Sequence, residues 1–234
     1  MKVNRLTKIL PLQLFAAFAL IFAANSVFFA AEAQEPAISA AEPIAILAFG
    51  DSLTAGYGLP AGEGFTDQLQ VWLEKELGKD VRVINGGVSG DTSSGGRSRL
   101  DWALSPIKSG KPDLVILELG ANDALRGVAP EITRVNIDAM LKTLTERNIP
   151  TLVAGMLASP SWGPEYETSF NTLYPELSQQ YGVPLYPFFL DGVATIAELN
   201  QSDGLHPTKE GVAIIIEKIG PYVKQALSRQ KFPR

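Results

Sequence analysis

Short apolar runs alternating with helical periodicity constrain this chain more than any other feature. Ile44–Phe49 (IAILAF) and Leu114–Leu119 (LVILEL) are almost wholly apolar, as strands buried on both faces are. Val81–Asn85 and Pro150–Ala154 read as two more strands, and the proline-bounded Leu185–Phe188 as a weaker fifth. Between the first two, Phe65, Leu69, Trp72, Leu73 and Leu77 recur at helical spacing, which predicts a helix over Phe65–Leu77 ended by Gly78. Ile137, Met140, Leu141 and Leu144 share one face of another helix. A last one is predicted from about Thr208 to Leu227, burying Val212, Ile215, Ile216, Ile219 and Val223. Such alternation implies right-handed crossovers and an α/β fold of three layers, α/β/α, around a mostly parallel five-stranded sheet. Ligands of such sheets bind where loops leave the carboxyl ends of the strands. The loops to inspect therefore begin at Gly50, Gly86 and Gly120.

Each of these loops carries polar residues that chemistry can use. Gly50-Asp51-Ser52-Leu53 follows the first strand, where a serine on a sharp turn exposes its hydroxyl. The same residues also suit a plain helix N-cap, because Asp and Ser both accept from free N–H groups. The pattern is not G-x-S-x-G, so an ordinary α/β-hydrolase elbow is not indicated. His206 is the single histidine of the chain and stands in Asp203-Gly204-Leu205-His206-Pro207, before the terminal helix. A glycine-containing loop of that length can turn Asp203 back onto Nδ1 of His206, leaving Nε2 to take a proton from Ser52. With no second histidine, a histidine metal cluster is excluded. The second loop offers Gly90 within Val88-Ser89-Gly90-Asp91-Thr92, and the third offers Asn122 within Gly120-Ala121-Asn122-Asp123. A backbone N–H and a side-chain amide are the donors that an oxyanion needs, although glycine and asparagine are also ordinary turn residues.

The first 33 residues belong to a different argument. Lys2, Arg5 and Lys8 precede an apolar run from Ile9 to Ala31, and Ala31-Glu32-Ala33 follows as an A-x-A cut site. This is the order of an export signal, so residues 1–33 are expected to be a signal peptide, 34–43 a short tail and 44–234 the folded domain. The length of the apolar run leaves an uncleaved anchor as the rival reading. Removing residues 1–33 takes away three cations and one anion, moving the net charge from −5 to −7. An acidic chain argues against nucleic acid or anionic membrane as the main partner. The absence of cysteine excludes disulfides, thiolate catalysis and cysteine-bound metals.

Taken in order, Gly50–Leu53, Val88–Ser93, Gly120–Asp123 and Asp203–Pro207 resemble the four blocks of the SGNH (GDSL-type) hydrolase family. The resemblance runs from Ile44 to about Tyr222, and Glu118–Gly127 (ELGANDALRG) is similar to the bacterial lysophospholipase, acyl-CoA thioesterase I and arylesterase branch. It departs at Ala121, where many members have a second glycine. The resemblance implies the flavodoxin-like SGNH fold, a nucleophile Ser52 with Asp203 and His206, and an oxyanion hole of Ser52, Gly90 and Asn122. It implies an esterase acting on small-molecule acyl esters or thioesters, such as aryl esters, lysophospholipids or fatty acyl thioesters, with no metal or organic cofactor. Asp123–Ile132 would border the acyl channel, with Met156–Trp162 opposite. The same blocks also serve carbohydrate O-deacetylases, and a non-catalytic binding module is the remaining alternative. A periplasmic or secreted monomer, free of a stable membrane anchor once the signal is cut, is the expected state.

Overall fold

The computed structural model of the chain describes residues 42–107 and 111–229. The expected signal peptide, 1–33, and the tail up to residue 41 lie outside the described residues.

Five strands, β1 (Ile44–Gly50), β2 (Val81–Gly87), β3 (Leu114–Glu118), β4 (Thr151–Ala154) and β5 (Leu185–Tyr186), form one sheet in the order β2-β1-β3-β4-β5. Every pairing is parallel, so the sheet is wholly rather than mostly parallel. Ile46, Leu47, Ala48 and Phe49 of β1 and all of β3 are buried, as strands with helices on both sides must be. The last strand is two residues long, not the four expected, because Pro187 has no N–H to extend the ladder.

Helix α1 (Ser52–Ala55) is a single turn and α2 (Phe65–Leu77) has the predicted bounds. α7 (Lys209–Arg229) packs on α2, with Gly220 under Trp72, where a Cβ would come within 2.7 Å of the indole. The other face carries α3 (Ser93–Leu104), α5 (Pro130–Glu146) and α6 (Pro164–Tyr181), after the short α4 (Ala121–Leu125). Periodicity does not announce α3: SSGGRSRL is polar, and the helix is held by a Thr92 cap on Gly95 N–H and by burial of Leu100, Ala103 and Leu104. α6 has a legible start at Pro164, an end at Gly182 (φ +64°) and a buried stripe of Phe170, Leu173, Tyr174 and Leu177.

The chain leaves β1 toward β2 on one side and returns to β3 on the other. That reversal opens a crevice at the carboxyl ends of β1 and β3, the usual ligand position of such sheets. Ser52 and Asn122 follow these two strands.

Candidate active site

The two sequence readings of the first loop are both realised, by different residues. Asp51 is the cap of α1: its Oδ1 accepts from Leu53 N–H at 3.0 Å. Ser52 is thereby released from capping, and its Oγ lies 2.9 Å from His206 Nε2. Behind them, Arg99 of α3 clamps the strand ends, donating to the carbonyls of Gly50 and Gly86 at 2.8 Å each and to Asp91 at 2.6 Å.

His206 Nδ1 lies 2.7 Å from Asp203 Oδ2, while Asp203 Oδ1 accepts from the backbone N–H of Leu205 and of His206 at 2.9 and 3.0 Å. The His206 side-chain bond and those two N–H groups hold the Asp203 carboxyl down at about 2, so it is charged across the neutral range. That charge sets the tautomer with hydrogen on Nδ1, leaving the Nε2 lone pair toward Ser52. The Tyr57 ring covers the imidazole at 4.6 Å between centroids. Gln201 straps the two loops together. Its Nε2 donates to the Tyr57 carbonyl at 2.7 Å and to Pro207 O at 3.0 Å, and its own N–H donates to His206 O at 2.7 Å.

The three expected oxyanion donors, Ser52, Gly90 and Asn122, all line one cleft. The backbone N–H groups of Ser52 and Gly90 have no acceptor among the described residues, as donors reserved for a ligand would. Gly90 has φ +81°, a conformation that favours glycine, and its carbonyl is held by Arg126 at 2.9 Å. The Asn122 amide, by contrast, is already engaged with Asp51 and with the Asp91 carbonyl.

Beneath Ser52 lies a pair of acids that spacing does not reveal. Burial pushes Asp51 up to about 6, against the opposing pull of Leu53 N–H and Asn122. Glu118 is fully buried, and desolvation together with the Asp51 charge raises it well above the carboxylate range. Its Oε2 accepts from Thr54 Oγ1 at 2.8 Å and from Asp51 N–H at 3.3 Å, while Oε1 is buried without a partner among the described residues. Of the two acids Glu118 is pushed further toward its protonated form, and the charge of Asp51 is one cause of that. The clue in sequence is one acid inside the apolar run LVILEL.

The cleft has a volume of about 930 Å³. Leu53, Leu125, Met156, Leu157, Trp162 and Phe188 are among its walls, and among the described residues no Asp, Glu, Lys or Arg lines it. Among the described residues, no group of three or more His, Asp and Glu side chains is placed to hold a metal ion.

Known proteins are similar to this chain along most of its length. An arylesterase of Vibrio mimicus is 39% identical over 181 residues, covering 77% of this chain and 88% of that protein. The thioesterase 1/protease 1/lysophospholipase L1 of Escherichia coli K12 is 34% identical over 179 residues, 76% of this chain and 82% of its own. The crystal structure of AlinE4, an SGNH-hydrolase family esterase, superposes with a TM-score of 0.66 at 44% identity, over 80% of this chain and 97% of that one. The profile of the GDSL-like lipase/acylhydrolase family matches residues 48–214, from β1 into the last helix, and the chain belongs to that family.

Proposed function

We propose that the chain is a serine esterase that hydrolyses carboxylic esters and thioesters with apolar acyl groups through an acyl-enzyme on Ser52. The observation that carries this reading is the unbroken relay Asp203–His206–Ser52, at 2.7 and 2.9 Å, opening into an apolar cleft without fixed charge.

Ser52 Oγ gives its proton to His206 Nε2 as it attacks the acyl carbonyl. Negative charge on the carbonyl oxygen is met by the N–H groups of Ser52 and Gly90, with Asn122 as third donor. Asp203 stays charged and stabilises the imidazolium. His206 passes that proton to the leaving alcohol or thiol, then takes one from the attacking water and gives it to Ser52 Oγ as the acid departs. The cleft walls favour aryl, lysophospholipid and fatty acyl thioester substrates over acetylated sugars, which need polar partners for their hydroxyls.

Hydrolysis of p-nitrophenyl esters of increasing acyl length, with Ser52→Ala alongside, tests the assignment. Turnover abolished in the variant supports the acyl-enzyme. Equal turnover in both proteins would remove Ser52 from the reaction.

The Lys/Arg-led apolar run and the A-x-A site before Gln34 support export to the periplasm or beyond, with the leader removed. Mass spectrometry of the exported protein should find an N-terminus at Gln34; an intact Met1 terminus in the membrane fraction would favour the anchor instead.

A further inference from the structure

We propose that Trp162 limits the acyl length the cleft accepts, by closing its acyl end against Gly127; this rests on the esterase reading above. The direction of the acyl chain follows from the chemistry at Ser52. The leaving group must lie against His206 Nε2 to be protonated, and so occupies the side of Gly204 and Leu205. The oxyanion faces Gly90 and Asn122. The acyl carbon takes the remaining direction, between the wall Ala121–Leu125 and the wall Met156–Trp162.

The second wall touches the chain just beyond the end of the first, at Gly127. The indole of Trp162 lies over Gly127, where a Cβ would come 2.6 Å from Cη2. Gly127 has φ +63°, so this position combines a left-handed backbone with an aromatic ring pressed on the bare Cα. The closure is braced from behind. Trp162 contacts Tyr166 at 5.6 Å between centroids, and the Tyr166 hydroxyl donates to Val128 O at 2.8 Å, one residue beyond Gly127. Phe170 and Tyr174 continue the ladder along α6 at 6.0 and 5.8 Å, ending where the Tyr174 hydroxyl donates to Leu119 O at 2.9 Å. Leu119 directly precedes the Gly120–Asn122 turn. One helix thus fixes both lips of the cleft, one by chain continuity and the other through Tyr166. Trp162 is then a wall that a longer acyl chain must displace, and a specificity-determining residue.

The test is kcat/KM for p-nitrophenyl acetate, butyrate, octanoate, laurate and palmitate, each protein normalised to its own butyrate value. Truncation in Trp162→Ala should raise the laurate-to-butyrate ratio by about tenfold or more, since a few methylenes gained in an apolar site count for that much. Trp162→Phe should give a smaller rise. Gly127→Ala, whose methyl displaces the indole from the other side, should shift the ratio in the same direction. Normalised profiles that superimpose on wild type, or a uniform fall at every length, would overturn the proposal. If wild type hydrolyses these esters in a Ser52-dependent way while the profiles superimpose, the acyl-length proposal fails alone. If Ser52→Ala retains wild-type turnover, the esterase reading fails with it.

Discussion

The side-chain amide of Asn122 is held from two sides, donating to Asp51 Oδ2 at 3.1 Å and to the Asp91 carbonyl at 3.0 Å. Both amide hydrogens are thus bound before substrate arrives. For Asn122 to meet an oxyanion, one of these bonds must be exchanged or shared. The oxyanion then competes with a carboxylate and a carbonyl that keep the amide oriented meanwhile. The Asn122 amide is oriented by its neighbours rather than waiting unbound.

Removing that donor tests whether the exchange occurs. Asn122→Ala should lower kcat by about 10²–10³, the usual effect of deleting one oxyanion donor, with a smaller change in KM. A kcat near wild type would mean that the amide serves only to join the Asp51 and Asp91 loops.

Asp51 should give the acid limb of activity an additional proton. Its raised position at about 6 means that protonation occurs as pH falls through that value. A protonated Asp51 is a poorer acceptor for Asn122 and Leu53 N–H, so the site loosens. Log kcat/KM should therefore fall more steeply below about pH 6 in wild type than in Asp51→Asn. The shallower limb of Asp51→Asn should come with a lower plateau, because the charge that orients Asn122 is gone. Identical limb shapes in the two proteins would discard this role for Asp51.

Glu118 makes a prediction about stability instead. An acid raised in the folded state binds more protons folded than unfolded, between its ordinary value near 4.5 and its folded one. Stability linked to it is complete below that window and is lost as pH rises through the folded value. Glu118→Gln keeps an acceptor for Thr54 and cannot ionise. Its Tm should decline less than that of wild type as pH rises from about 5 to 9; parallel curves would show that Glu118 ionises no more readily unfolded than folded.

How far sequence reaches into this site depends on how local each contact is. Helix α2 is legible to the residue, because Phe65, Leu69 and Leu73 put its buried stripe in one continuous segment. Ser52, Gly90, Asn122 and His206 are legible because strand ends locate their loops and the Asp203–His206 contact spans three residues. The clamp by Arg99 is not, since it joins α3 to carbonyls 13 and 49 residues away. Nor is the apposition of Asp51 and Glu118, which are 67 residues apart and meet only because β1 and β3 are neighbours. The α3 helix itself escapes notice, because its serines and glycines carry no apolar period and its stability comes from packing.

Gln201 shows the same limit and yields the last prediction. Its Nε2 bond to the Tyr57 carbonyl at 2.7 Å crosses 144 residues of sequence to join the loop bearing His206 to the loop bearing Ser52. Without it, the 2.9 Å contact between Nε2 and Oγ rests on the Tyr57 ring and the Asp203 turn. Gln201→Ala removes two side-chain bonds of roughly 1 kcal/mol each, so Tm should fall by only a few degrees. Catalysis should suffer more, because an ångström of misplacement between nucleophile and base costs up to about 10²-fold. The loss should fall on kcat rather than KM, since the acyl walls are untouched. Reaction of Ser52 with a phosphonate ester should slow in parallel, because that step needs the same base. Gln201→Glu is the informative partner: its carboxylate cannot donate to the Tyr57 and Pro207 carbonyls, so it should be at least as impaired as alanine despite its matching size. If the glutamate variant kept full kcat, the side chain would be filling space rather than tying the two loops.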